Sequence, residues 1–209
     1  MTKGRFLSLE GGEGAGKSTQ VRALAAALAE RGIDTVVTRE PGGSEGAEAI
    51  RALLMQGDTT RWSARAEALL FAAARADHVE KVIRPALDAG RWVICDRYID
   101  STRAYQGVAG GIDDAAILML HGFGASGLLP DRTFLLTLPA DVGAARAAAR
   151  DGTAADRFAR RDPGFHGAVT AAFDAFAVSD PERFRQIDAT MPASAVTAAM
   201  LDALADLLP

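Results

Sequence analysis

The chain has 209 residues, of which 49% are hydrophobic and 24% are charged, with a single cysteine and a net charge of −4. This composition is typical of one globular domain, and it excludes a disordered chain, a disulfide-stapled one and a basic protein that wraps nucleic acid. The N-terminus has no apolar signal core, and no apolar run is long enough to span a bilayer. We therefore expect a cytoplasmic protein without membrane or nucleic-acid partners.

A glycine-rich stretch between a strand and a helix is the first motif of the chain. Residues 5–10 predict a short apolar strand, and residues 19–31 have apolar side chains at helical spacing. Between them, GGEGAGKST fits the phosphate-loop pattern, in which backbone N–H groups surround a polyphosphate and the lysine reaches its terminal phosphates. A glycine-rich turn with an unrelated lysine is the alternative, but the order of strand, loop and helix favours a phosphate site. Its candidate residues are Gly11, Gly12, Glu13, Gly14, Ala15, Gly16, Lys17, Ser18 and Thr19.

Strand and helix patterns alternate along the next stretch. Residues 34–39 predict a second strand, and Pro41 breaks the loop that follows it. Helical spacing resumes over residues 45–55 and again over 62–89, where Pro85 is expected to bend the helix. Such alternation is typical of a parallel sheet with helices on its faces.

A second candidate site follows the third strand. Residues 92–95 are apolar without alternation, as in a strand buried on both faces of a parallel sheet. Asp96 and Arg97 come at the carboxyl end of this strand, the edge at which ligands of such sheets bind. There the Asp96 carboxylate can hold a magnesium ion beside the Ser18 hydroxyl, and Arg97 would face an anionic substrate. The alternative is that Asp96 caps the next turn and that Arg97 is a surface charge.

The rest of the chain continues the alternation. After a glycine-rich turn, strands are predicted over 132–138 and 185–187, and helices over 113–123, 141–149, 165–178 and 193–207. Residues 150–162 are polar and basic without apolar spacing, which predicts a surface segment. We therefore predict one α/β domain over residues 1–209, with a mainly parallel five-stranded sheet covered by helices on both faces.

Other chemistry finds little support in the sequence. The three histidines share no metal-ligand spacing with one another or with the cysteine, and no nucleophile-elbow or dinucleotide fingerprint is present. Phe71 and Arg75, four apart on one helical face, could stack on a base and bind its edge, but by themselves they are more typical of core and rim. The residues favour phosphoryl transfer.

Four ordered stretches closely resemble the bacterial thymidylate kinase family. They are FLSLEGGEGAGKSTQ (6–20), TREPGGS (38–44), LLFAAARADHV (69–79) and DRYIDSTRAYQG (96–107), and the resemblance continues to residues 187–189. It implies a phosphate-loop NTPase fold with a lid at about residues 150–162. It also implies a homodimeric kinase that uses ATP and Mg²⁺ to phosphorylate thymidine monophosphate (dTMP) in dTTP biosynthesis.

The resemblance further implies roles for single residues. Residues 14–19 would hold the phosphates of ATP. The acceptor nucleotide would be bound by Glu13 near its sugar, Arg51 and Arg97 on its phosphate, Phe71 stacked on thymine, Arg75 and Ser101 at the base edge, Pro41 closing the pocket, and Tyr105 and Gln106 beside the sugar. Catalysis would use Lys17, Arg97 and a lid arginine. Arg157 is favoured because its neighbour Asp156 completes a family Asp-Arg pair, and Arg150 comes second.

The chain departs from the family pattern in three places. Ala72 follows Phe71 where the family often has tyrosine, Ala159 stands where the lid usually has glutamate, and Gly14 stands where some members carry an arginine. Two other functions remain alternatives: a phosphate-loop kinase of another nucleotide or nucleoside, and a nucleotide-binding switch that signals through a partner. The chain has no Asn-Lys-x-Asp guanine motif, which argues against the switch, and a panel of acceptors would separate the kinases.

Overall fold

The computed structural model describes residues 4–151 and 157–209, apart from the side chains of Arg150 and Asp151. The centre of the fold is a sheet of five strands: β1 (Phe6–Glu10), β2 (Thr35–Arg39), β3 (Trp92–Asp96), β4 (Arg132–Thr137) and β5 (Phe184–Asp188). They lie in the order β2-β3-β1-β4-β5, and every neighbouring pair is parallel. The predicted α/β sheet is confirmed, and it is parallel throughout.

The register of the sheet brings the two candidate sites together. Leu9 near the end of β1 pairs with Asp96 at the end of β3. The phosphate loop follows β1 and the second candidate site follows β3, so both begin at the same carboxyl edge. The chain runs from β1 to β2 and β3 on one side of β1, and then from β3 to β4 and β5 on its other side. Open α/β sheets bind their ligands where the strand order reverses in this way.

Helices cover the sheet. In the described residues they are α1 (Lys17–Ala29), α2 (Glu45–Met55), α3 (Ala64–His78), α4 (Arg84–Asp88), α5 (Ile99–Thr102), α6 (Asp114–Ala125), α7 (Ala140–Asp151), α8 (Pro163–Ser179) and α9 (Ala193–Asp202). Side chains of Ser44, Ser63 and Asp162 cap α2, α3 and α8 by accepting a backbone N–H of the first turn. None of the helices within the described residues combines the length and the hydropathy that a membrane span requires.

Both faces of the sheet are buried. Leu7, Leu9 and Ile94 point to one face, where they pack with apolar residues of α1 and α9. Phe6 and Val93 point to the other face and pack with residues of α3, α4 and α6. Since successive side chains of a strand alternate between faces, apolar residues in a row require a helix layer on each side.

The bend predicted at Pro85 takes the form of a π-helical turn. Residues Val79–Ile83 form this turn between α3 and α4, and the Arg84 N–H bonds to the Val79 carbonyl. Proline lacks an N–H and would clash with the preceding turn of a regular helix, and a wider turn just before it relieves the clash.

The structure differs from the sequence analysis in two local features, of which one was not predicted and the other was predicted wrongly. A helical stretch that the sequence pattern did not indicate runs through α5 into a π-helical segment, Arg103–Val108. Of the segment 150–162, predicted to lie at the surface, the described residues 157–162 are instead partly buried: Arg157 is 0% exposed and Phe158 is 6% exposed. Polar composition misled this prediction, because a buried arginine is tolerated when its guanidinium is fully paired.

Candidate active site

The side chain of Lys17 is hydrogen-bonded within its own phosphate loop. Lys17 is the first residue of α1, and Gly16 before it takes a left-handed conformation, with φ of 85°, that glycine adopts without strain. The Lys17 Nζ donates to the carbonyls of Gly11 at 3.0 Å and Gly12 at 2.8 Å. Burial, with the charge of Arg97 nearby, lowers the pKa of Lys17 to about 7. An incoming polyphosphate would favour the charged ammonium, and the N-terminus of α1 adds unpaired N–H groups aimed at the loop.

The two predicted magnesium ligands are in contact. The Ser18 hydroxyl donates to the Asp96 carboxylate at 2.8 Å, because the sheet register places the ends of β1 and β3 side by side. A hydroxyl and a carboxylate are hard oxygen ligands that suit Mg²⁺. Among the described residues, no group of three or more His, Cys, Asp or Glu side chains is placed to hold a metal unaided. The donor set therefore fits a magnesium ion that shares its remaining positions with phosphates and water.

The loop opens onto a cleft of about 570 Å³. Most of the predicted site residues line it, namely Glu13, Gly14, Ala15, Gly16, Lys17, Ser18, Thr19, Pro41, Arg51, Phe71, Arg75, Asp96, Arg97, Ser101, Tyr105 and Gln106. Gly11 and Gly12 begin the loop and supply the carbonyls to which Lys17 donates. The structure thus brings the phosphate loop and the predicted acceptor residues to one cavity.

Arg97 occupies a strained position between the two halves of the cleft. Its φ of 69° lies in the left-handed region, which is uncommon for a residue with a side chain. The guanidinium donates to the Gly11 carbonyl at 3.2 Å and to the Ser101 hydroxyl at 3.1 Å, and it lies over the Tyr105 ring. These contacts offset the backbone strain. They keep one cation at the point where the phosphate loop meets the predicted acceptor residues.

Glu10 organises this junction and is absent from the sequence prediction. Its buried carboxylate accepts from the Tyr98 N–H at 2.8 Å, the Ser101 N–H at 3.2 Å and the Ser101 hydroxyl at 2.6 Å. Burial, assisted by the negative charge of Asp100, raises the pKa of Glu10 to about 7. The available signal was an acidic residue closing an otherwise apolar strand, the same signal that marked Asp96.

Arg75 is fixed in the cleft wall by a buried network. Its guanidinium donates to Glu40 at 2.7 Å and to the Thr102 hydroxyl at 2.8 Å. The second Glu40 oxygen meets His78 Nδ1 at 3.0 Å, and the other nitrogen of that ring contacts the Thr38 hydroxyl. Glu40 precedes the cis Pro41, so this network joins the predicted pocket-closing loop to α3, the helix that carries the predicted base-binding residues. His78 thus serves in a polar network, whereas the sequence indicated no role for it.

Comparison with known proteins agrees with this geometry. Residues 9–200 match the family model described as "Thymidylate kinase". The chain belongs to the thymidylate kinase family. It is 59% identical to a thymidylate kinase of Rhizorhabdus wittichii, with 99% of each chain covered, and 52% identical to one of Caulobacter vibrioides, with 97% of this chain and 96% of the relative covered. A crystal structure of thymidylate kinase from Ehrlichia chaffeensis matches with a TM-score of 0.80 at 32% identity, covering 97% of this chain and 99% of that one.

The packing of α7 explains why position 14 is a glycine in this member of the thymidylate kinase family. Gly14 has φ of 71°, and a Cβ built on it would overlap the carbonyl oxygen of Gly143 in α7. No side chain can project from the loop there without moving this helix. One turn further along α7, Arg146 lines the cleft and donates to the Ala189 carbonyl at 2.9 Å. Arg146 is a site residue that the sequence did not single out, since helical spacing alone did not show which face of α7 meets the cleft.

The two predicted lid arginines are in different situations. Arg157 is buried beside Glu67, to which it donates at 2.5 Å, and it does not line the cleft. Arg150 lies near the end of α7, and its side chain, like Asp156, is outside the described part of the structure. The neighbouring residue Phe158, which the sequence analysis did not select, lines the cleft instead.

Proposed function

We propose that the chain transfers the γ-phosphate of ATP to dTMP, giving thymidine diphosphate (dTDP), with Mg²⁺ as the metal. The observation that carries this proposal is the single cleft in which a phosphate loop faces an aromatic and arginine-lined acceptor wall. Membership of the thymidylate kinase family supports the identity of the acceptor. A deoxynucleoside monophosphate matches the wall, which offers cations for a phosphate and an aromatic ring for a base.

On the donor side, backbone N–H groups of residues 14–19 cradle the phosphates and Lys17 neutralises the terminal ones. Ser18 and Asp96 are the residues that would hold Mg²⁺. A magnesium ion held there would offset the negative charge that develops on phosphate oxygens during transfer. The Lys17 Nζ donates to the Gly11 and Gly12 carbonyls, and its third N–H can donate to a phosphate oxygen, whose negative charge would favour the charged ammonium.

On the acceptor side, Arg97 and Arg51 grip the dTMP phosphate. Arg51 is oriented by its bond to the Pro41 carbonyl at 2.7 Å. An oxygen of the acceptor phosphate attacks the γ-phosphorus, the bond from that phosphorus to its bridging oxygen breaks, and ADP leaves with the electron pair. Because the attacking oxygen is already anionic at neutral pH, no general base is needed, and catalysis rests on positioning and charge neutralisation.

The base of dTMP is held by groups already in place in the cleft. Phe71 stacks on thymine, while Arg75 and Ser101 bind its edge. The Arg75 guanidinium is locked by Glu40 and Thr102, so its orientation does not have to be established on binding. Tyr105, Gln106 and Glu13 line the sugar side, where Tyr105 would crowd a 2′-hydroxyl. The site therefore selects a deoxyribonucleotide of thymine.

We expect dTMP to be preferred strongly over deoxycytidine monophosphate. Cytosine leaves groups placed for a thymine edge unpaired, and a polar site discriminates by roughly a hundredfold or more under such conditions. Specificity constants for both acceptors, measured by coupled ADP release, test this selectivity. Comparable values for the two would contradict the base assignment and favour a kinase of broader or different specificity.

The proposed assembly is a homodimer. The family resemblance suggests it, and the packed helices α3 and α6 expose four large apolar residues, with Phe123 94% exposed. The others are Leu69, Leu118 and Met119. An apolar patch of this kind is suited to a self-complementary interface.

We expect sedimentation at working concentration to show a species of two chain masses, and Phe123→Asp to shift that species toward one chain mass. A wild-type species of one chain mass only would refute the dimer.

Three sequence predictions remain part of the proposal. Residues 1–209 form one domain, residues 150–162 act as its lid, and the enzyme works in the cytoplasm on a small-molecule substrate. The one cysteine, Cys95, is buried in β3, where burial raises the pKa of its thiol. Such a thiol is unreactive, as befits a packing residue in a reducing compartment.

A further inference from the structure

We propose that Arg157 is a positioning residue whose buried ion pair with Glu67 holds the ring of Phe158 in the wall of the acceptor base site. This inference rests on the proposed function, because it assigns Phe158 a contact with the nucleotide base. It gives Arg157 a role other than the transition-state cation that the sequence predicted.

Arg157 is enclosed by fixed partners. Its Nε donates to the Leu54 carbonyl at 3.0 Å, and a terminal nitrogen donates to the Thr59 carbonyl at 3.4 Å. The C-terminal end of α2 and the loop that follows it therefore form part of the pocket around Arg157. The other terminal nitrogen donates to Glu67 in α3 at 2.5 Å. The side chain is 0% exposed. Each of the three guanidinium nitrogens therefore has an acceptor, and the segment that carries Arg157 is tied to α2 and α3.

Glu67 links this segment to the acceptor site. One of its carboxylate oxygens accepts from Arg157 and the other accepts from the Gln106 amide at 2.8 Å. Gln106 belongs to the segment that is proposed to line the sugar of dTMP. Glu67 is 3% exposed, so both of its bonds are shielded from water and constrain their partners more than surface bonds would.

Phe158 reaches the cleft as a direct consequence of this anchor. Its ring contacts the Phe71 ring edge-on at a centroid distance of 5.7 Å and the Tyr105 ring at 6.2 Å. The Arg157 guanidinium lies 4.6 Å from the centre of the Phe158 ring. Glu67, Phe71 and Arg75 are spaced four apart along α3, so the anchor, the stacking ring and the base-edge donor share one helical face. Phe158 thus packs against Phe71 and Tyr105, the two rings that would contact the base and the sugar of dTMP.

The burial of the pair argues against a catalytic use of Arg157. To reach a phosphate, its guanidinium would have to leave Glu67, and the buried carboxylate would then retain only the more distant Arg161, at 3.8 Å, as a cation. Separating a buried ion pair in this way is strongly unfavourable. Holding the pair together costs nothing further during the reaction, so a positioning role agrees with the geometry.

Steady-state kinetics with dTMP as the varied substrate separate the two roles. If Arg157 acts through Phe158, both Arg157→Met and Phe158→Ala raise the KM for dTMP by roughly tenfold, the scale of one lost aromatic contact, and change kcat less than about twofold. Because Arg157 is proposed to act through Phe158, the two effects should not add. The KM of the double variant is therefore expected to be no higher than that of the more impaired single variant. Arg160→Met is the matched control, since Arg160 is an exposed arginine of the same segment.

A folding defect is addressed by a charge-neutral variant. Arg157→Met alone removes the close cation of Glu67 and leaves only Arg161, at 3.8 Å, so Arg157→Met combined with Glu67→Gln removes both charges of the buried pair and retains an acceptor for Gln106. We expect this variant to fold and to show the same rise in KM.

A loss of kcat of a hundredfold at saturating dTMP, with KM unchanged, would overturn the inference in favour of a catalytic cation. Wild-type KM and kcat in Phe158→Ala would overturn it as well. The wild-type enzyme is assayed in parallel: if it forms no dTDP, the proposed function itself fails, whereas normal wild-type turnover with unaffected variants overturns this inference alone.

Discussion

Replacing Lys17 by alanine is expected to lower dTDP formation by roughly a hundredfold to a thousandfold, the scale of losing a charged transition-state contact. Lys17 supplies the cation that the structure places inside the phosphate loop, and no other lysine among the described residues lines the cleft. Charge moves from the γ-phosphoryl group to the leaving ADP oxygen during transfer, and a fixed ammonium offsets that charge without reorganisation. Burial lowers the pKa of Lys17 to about 7, and the negative charge of a bound phosphate would raise that pKa and favour the charged ammonium.

The fold should survive this change. Lys17 contributes two bonds to loop carbonyls, and the Gly11 carbonyl still accepts from Arg97 after truncation. Lys81→Ala is the matched control, because Lys81 pairs with Asp77 on the surface at the end of α3. Turnover measured by coupled ADP release, with circular dichroism and thermal unfolding to check the fold, decides the matter. A folded Lys17→Ala enzyme with near wild-type turnover would remove the phosphate-loop assignment.

Replacing Arg150 by alanine is expected to lower single-turnover transfer by roughly a hundredfold, with ATP binding changed much less. The transition state needs a cation beyond Lys17 and magnesium, and two other sources are disfavoured by geometry. Gly14 cannot carry a side chain against Gly143, and Arg157 is committed to Glu67. Position 150 lies one helical turn beyond Arg146 in α7, a helix that borders the cleft.

Two further variants give this prediction its control. Arg150→Lys keeps the charge but loses the planar fork, so it should recover part of the rate. Arg157→Met should retain kcat, as argued above. Transfer at the parent rate by Arg150→Ala, once both substrates saturate, would show that the needed cation comes from elsewhere in the cleft.

The sequence predicted what short-range patterns encode. The order of strand, glycine-rich loop and helix located the loop that lines the cleft after β1, and the apolar run before Asp96 located the opposite side of the cleft. Parallel strands place their carboxyl ends at one edge, so the sequence predicted Asp96 near Ser18, and the pairing of β1 with β3 in the structure brings the two into contact. Pro85 correctly marked a break in the long helix, although its π-helical form depends on packing.

Other features depend on contacts between distant parts of the chain. Arg157 and Glu67 are 90 positions apart, and a basic, polar stretch gives no local sign that one of its arginines is buried. The three bonds to Glu10 come from residues 88 and 91 positions away, so its role becomes visible only once β1 and β3 are neighbours. The helical stretch of 99–108 was missed because it is short, is followed by glycines and changes to a π-helical form. Tertiary packing decides such segments, since propensity over so few residues is weak.

The most direct test of the central claim is ADP release from ATP and Mg²⁺ with and without dTMP, with the nucleotide products separated by chromatography. A phosphotransferase of the proposed kind releases ADP at a low basal rate alone and at a rate at least a hundredfold higher when dTMP is present, with one dTDP formed for each ADP. ADP release that is unchanged by dTMP, or that proceeds without dTDP, would contradict the account.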